Sequence, residues 1–193
     1  MRKTVRQLGI VATALIVCAG VITVAAPIAE AKTVSKGEWA KGFCSALKDW
    51  QATVSKAHGL VDDVVTNGVT SSSAAKASQK QIVSALKAAG KGSEAASKDL
   101  KAVGAPDVTG GAKISTAIST AIGNVAKIFT VAQVAVAKAS TVPAKFQAKL
   151  KTISAKVDKD YSNEFADIQG LDQGSELDTA LNAEPTCSFA SSS

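Results

Sequence analysis

From Trp39 to Ile168 the apolar residues recur at intervals of three and four, in four successive runs, and that spacing commits the chain to helix. The first run is Trp39, Phe43, Leu47, Trp50, Val54, Ala57, Val61 and Val64, which share one face of a helix with 3.6 residues per turn. Asn67-Gly68 stops it, and Gly59 is a weak point inside it. Ser71-Ser72-Ser73 offers an N-cap for the second run, Ile82, Leu86, Ala89, Ala96, Leu100 and Val103, which Gly104 and Pro106 close. Gly90 and Gly92 interrupt that run and allow a neighbouring helix to approach closely.

A turn over Asp107–Gly111 leads into the third run, Ile114, Ile118, Ala121, Val125, Phe129, Ala132 and Val136. Ile122, Ile128 and Val131 widen it, so this helix is expected to be the most buried. Thr141-Val142-Pro143 restarts the chain, since proline is tolerated in a first turn. The fourth run is Phe146, Leu150, Ile153, Val157, Tyr161, Phe165 and Ile168. Gly170 and Gly174 loosen the chain, Ser175 to Asp178 reads as a capping box, and a short helix carrying Leu177 and Leu181 follows until Pro185. The tail 188–193 is expected to be disordered. No β-type alternation of useful length occurs. Four long helices with short connections predict an all-α, up-down-up-down four-helix bundle with a short C-terminal helix, forming a single domain over 32–193.

The first residues read as a leader. Arg2, Lys3 and Arg6 form a positive start, an apolar stretch follows from Leu8 to about Ala26, and Ala29-Glu30-Ala31 supplies the small-x-small pattern of a signal-peptidase site. Cleavage after Ala31 makes residues 1–31 a signal peptide, puts Lys32 first in the mature chain and sends the protein out of the cytoplasm. The competing reading is an uncleaved anchor, because Leu8–Ala29 can span a bilayer core of ~30 Å. Lipidation at Cys18 is a second alternative, although Val17 is larger than the residue that normally precedes a lipidated cysteine.

Cys44 and Cys187 then remain, in an oxidising setting that allows one intramolecular pairing. A zinc site needs about four ligands, and His58 is the sole histidine. A catalytic cysteine needs a base, and His58 lies four helical turns from Cys44, roughly 21 Å along the same helix. A disulfide is the remaining use. In an up-down bundle the start of the first helix and the end of the last lie at the same end, which brings the two cysteines together.

Charge narrows the partners. The chain carries 22 Lys and Arg against 16 Asp and Glu, for a formal net charge of +6. After the leader every cationic side chain is lysine, and residues 76–156 hold 13 of them against Glu94, Asp99 and Asp107. A basic middle first means solvated helix faces; beyond that it suits an anionic envelope polymer or lipid. Nucleic acid is not expected, because arginine for bidentate contacts is missing and the aromatic residues fall on the apolar stripes.

Other constellations carry little. Asp62-Asp63 are adjacent on a helix and point apart. Asp158, Asp160, Glu164 and Asp167 make an acidic face without a calcium-loop glycine. Trp39-Ala40-Lys41-Gly42 is one residue off a W-x-G turn. No nucleophile-elbow, zinc-protease, Walker or dinucleotide-binding pattern occurs. The expected function is therefore non-enzymatic and cofactor-free. An exported binding or interaction protein comes first, with another exported protein, an envelope polymer or a lipid as partner. A carrier of an apolar ligand between helices is one alternative, and a Lys-rich surface binder of anionic envelope polymer or lipid is the other.

The leader, the "FCSAL" start (43–47), "GAPDVTGG" (104–111) and the late "ELDTAL" and "PTC" (176–181, 185–187) resemble the small Ala- and Lys-rich exported helical proteins of actinobacteria. That resemblance implies no activity and no functional residue beyond the cysteine pair.

Overall fold

The computed structural model describes residues 32–169 and 174–187. The leader through Ala31, Cys18, the cleavage point, Gly170 and the tail 188–193 lie outside the described residues. Five helices make up nearly all of what is described: α1 Lys36–Asn67, α2 Ser72–Val103, α3 Gly111–Ala137, α4 Pro143–Gln169 and α5 Gly174–Ala183. The chain is all-α apart from two short strands, β1 Thr33–Val34 and β2 Ala105–Pro106.

Each helix begins and ends where local chemistry allows. Ser35 and Glu38 open α1 as a reciprocal capping box: the Glu38 N–H donates to Ser35 Oγ at 3.3 Å, and the Ser35 N–H donates back to Glu38 Oε2 at 3.2 Å. Gly68, with φ of 70°, ends it. Of the three serines before α2, Ser71 is the cap, its Oγ accepting from the Ala74 N–H at 3.1 Å. Pro143 occupies the first position of α4, where its missing N–H costs nothing. Two glutamines close helix ends from neighbouring helices. Gln79 Nε2 donates to the carbonyls of Val136 (2.8 Å) and Ala139 (2.9 Å) at the end of α3. Gln147 Nε2 donates to the Val65 carbonyl at 2.9 Å near the end of α1.

The strands are two residues each, in keeping with a sequence that shows no β-type alternation of useful length. They pair in parallel, Thr33 with Ala105 and Val34 with Pro106. The Ala105 N–H donates to the Lys32 carbonyl at 2.8 Å, and the Asp107 N–H to the Val34 carbonyl at 2.9 Å. Gly104 makes this possible: its φ is 95°, and a Cβ there would overlap the Lys32 carbonyl.

Two compact units divide the described residues: those up to Lys48, Lys98–Ser119 and those from Phe165 on form the first, and Asp49–Ser97 with Thr120–Glu164 the second. Helices α1 to α4 each contribute to both. In the first unit the buried apolar residues include Trp39, Phe43, Cys44, Leu100, Ile114, Ile118, Ile168 and Leu177. Trp39 and Phe43 stack with ring centroids 4.8 Å apart. Gly42 faces Val103, whose nearest methyl would lie 2.6 Å from an added Cβ, so the small residue after Trp39 serves close packing.

The second unit buries Trp50, Val61, Val64, Ile82, Leu86, Val125, Phe129, Val136, Phe146 and Leu150. Its interior includes a paired polar side chain: Trp50 Nε1 donates to Ser93 Oγ at 2.8 Å, and Ser93 Oγ donates to the Ala89 carbonyl at 2.9 Å. The small residues of α2 do bring a neighbour close, since a Cβ on Gly90 would stand 3.5 Å from the Ala126 carbonyl oxygen.

All seven positions of the third stripe are buried, as its apolar width implies. Helix α3 is also long and apolar enough to cross a membrane by length and composition. Val131 departs from expectation. It is 60% exposed, because it lies off the buried stripe, two residues past Phe129 and five before Val136.

Candidate functional site

Cys44 sits in the third turn of α1, 2% exposed, and forms a disulfide with Cys187, their Cα atoms 5.1 Å apart. The segment after α5 is shaped to deliver Cys187. Glu184 Oε1 accepts from both the N–H (3.0 Å) and the hydroxyl (2.8 Å) of Thr186, and the Cys187 N–H donates to the Glu184 carbonyl at 3.0 Å. These bonds turn the chain through Pro185 immediately after α5 ends. They also hold the Glu184 carboxyl below the ordinary glutamate range, the backbone donor contributing most. Sequence reading placed the helix stop at Pro185 and missed this turn, although a glutamate two residues before a threonine was its visible signal.

Lys36 Nζ reaches Glu176 Oε2 at 2.7 Å and joins the start of α1 to α5. An open depression lies against this pair, lined also by Thr179, Ala180 and Ala183. Its wall combines two alanines with Thr179 and the charged pair and carries no aromatic or large aliphatic side chain, unlike the lining of a site for an apolar ligand.

In the second unit His58 Nδ1 lies 3.0 Å from Asp62 Oδ2, one turn on along α1. Asp63 points elsewhere and accepts from Asn67 Nδ2 at 2.7 Å, so the adjacent aspartates diverge as expected. Asp158 of α4 feels the same histidine. Partial burial pushes its carboxyl up, with Asp62 adding to the rise and His58 opposing it. The acidic face of α4 is divided among partners: Asp160 Oδ2 takes Lys156 Nζ at 2.6 Å, and Glu164 Oε2 accepts from Asn124 Nδ2 at 2.9 Å. The side chain of Asp167 lies outside the described residues. Tyr161 is driven up by burial and stays a neutral phenol.

Among the described residues no group of three or more His, Cys, Asp or Glu could hold a metal ion. Cys44 is oxidised in its disulfide, and His58 is already engaged with a carboxylate. The other notable feature of the second unit is a shallow apolar groove of about 40 Å³ between α3 and α4. It is lined by Ile128, Val131, Ala132, Ala135, Ile153 and Val157, with the Lys156–Asp160 pair at its rim. Sequence reading put Ala132, Ile153 and Val157 on the apolar stripes, with Ile128 and Val131 widening the third, and did not place Ala135. No family model matches the chain, and no curated protein and no solved structure is significantly similar to it.

Proposed function

We propose that this chain is a non-enzymatic exported binding or interaction protein, released as residues 32–193 after cleavage at Ala31. The observation that carries the reading is the Cys44–Cys187 disulfide, which belongs to oxidising compartments and engages the two cysteines that remain after the leader. Cleavage after Ala31 would leave intact the ladder that begins at the Lys32 carbonyl. The connections 68–71, 104–110 and 138–142 are short, which supports an up-down-up-down run of α1 to α4.

A ligand carrier is the alternative to be tested against it. Cavities for drug-sized ligands run from about 300 to 1,000 Å³; the α3–α4 groove is far smaller, and the depression at Lys36–Glu176 reaches about 360 Å³ but lies open to solvent. Native mass spectrometry of the protein purified from its own host is the test. The expected result is the mass of the polypeptide alone. A retained lipid or pigment would replace this reading with the carrier.

A further inference from the structure

We propose that the outer face of α3 and the adjoining edge of α4 dock onto an anionic lipid surface. Three large apolar residues are exposed among the described residues, and they cluster in one stretch: Val131 (60%), Val134 (45%) and Val142 (49%). Val131 and Val134 are neighbours on α3, and exposed lysines bracket them at helical spacing, Lys127 one turn before Val131 and Lys138 one turn after Val134. Across the groove α4 presents Lys149 and Lys156 on the edge that carries Ile153. From Val108 to Val157 the sequence contains no aspartate or glutamate at all. The carboxylates closest in sequence on α4 are engaged or set back: Asp160 holds Lys156, Glu164 accepts from Asn124, and Asp158 lies toward His58.

This pattern selects among occupants. A second copy seated face to face would set lysines against lysines with no counter-charge, so self-association is disfavoured. A hydrated polyanion would engage the lysines and gain nothing from the valines. A lipid surface uses both: valines enter the headgroup boundary, lysine stems lie along it, and ammonium groups meet phosphates. The groove is too small to swallow an acyl chain, so the contact is a docking face.

The inference rests on the proposed reading as an exported binding protein. Flotation of residues 32–193, disulfide intact, with vesicles of phosphatidylglycerol and phosphatidylcholine tests it at physiological salt. Binding is expected to the mixed vesicles and not to phosphatidylcholine alone. Lys127→Gln with Lys138→Gln should weaken it about thirtyfold, from the contribution of two lysines near an anionic surface. Val131→Ser with Val134→Ser should weaken it about tenfold, from partial insertion of two valines. A control pair on α2, Lys87→Gln with Lys91→Gln, should bind like the parent. All six sites are exposed, and circular dichroism checks that each variant remains helical.

Equal effects of the α2 pair would reduce the site to net charge and overturn the proposal. So would tighter retention by soluble polyphosphate than by vesicles, or a dimer in the ultracentrifuge that the valine variant abolishes. Failure of vesicle binding removes lipid as the partner but leaves export and ligand-free purification to be decided by their own measurements.

Discussion

Removing the disulfide is the sharpest perturbation of this fold. The bond closes a loop with a sequence separation of 143. Chain entropy for a loop of that length is about 5 kcal/mol at 25 °C, an upper value because residual structure in the unfolded chain lowers it. A domain of this size moves about 2–4 °C in Tm per kcal/mol, so the loss should reach about 10–20 °C. The variant should be Cys44→Ala with Cys187→Ala, because Cys44 is 2% exposed and a serine hydroxyl there would add a burial penalty of its own. The long helices should persist, since their stripes remain apolar.

The segment at risk is α5, which otherwise relies on buried Leu177 and the exposed Lys36–Glu176 pair. Exposed pairs contribute about 0–1 kcal/mol. Circular dichroism during heating reads the shift in Tm, limited proteolysis reads release of α5, and tryptophan fluorescence reads exposure of Trp39, which is buried and stacked on Phe43. A Tm within ~3 °C of the parent, with α5 still resistant to protease, would refute the reasoning from loop closure.

Other outcomes follow from the same structure. Asp158→Asn should raise Tm at neutral pH: the folded carboxyl is shifted up, chiefly by desolvation, so its ionised form opposes folding. The stability linked to its proton is present below the ordinary value of 3.8 and lost as pH rises through the folded value, so the gain should vanish below pH 3.8. Thermal melts across pH check both halves. Gly59→Ala, where an added Cβ meets nothing within 4 Å, should stabilise by about 0.8–1 kcal/mol from helix propensity. Gly104→Ala, where it would overlap the Lys32 carbonyl at positive φ, should destabilise and free the β1 segment; urea melts compare the two. The protein should bind soluble polyanions weakly and elute from heparin below physiological salt, because screening already shortens the Debye length to ~8 Å at physiological ionic strength and lysine is strongly hydrated.

Much of this fold is legible in the amino-acid order because the helices are long and their apolar residues periodic. Val125, Phe129, Leu150 and Ile82 are buried where the spacing puts them. Ser71, Gly68 and Pro143 act at helix ends as their local chemistry requires. The Cys44–Cys187 pairing needed only the cysteine count, the leader and a topology with both at one end.

What escaped is of three kinds. The β1–β2 ladder is two residues on each side, too short for alternation to register, and it depends on Gly104 bringing distant segments into contact. Pairings between helices, such as Trp50 with Ser93 or Gln79 with the end of α3, have no signature in a single run. The α3–α4 face escaped because an apolar residue beside a stripe reads as core. Only its phase, and the solvent around Val131, shows otherwise.

The central claim is an exported, disulfide-closed mature chain, and one measurement addresses it directly: N-terminal sequence and intact mass of the protein recovered from outside its host's cytoplasm, without reductant. The account predicts a first residue of Lys32 and the mass of residues 32–193 less two hydrogens. A chain beginning at Cys18 with an acyl mass, a retained leader, or two free thiols would contradict it.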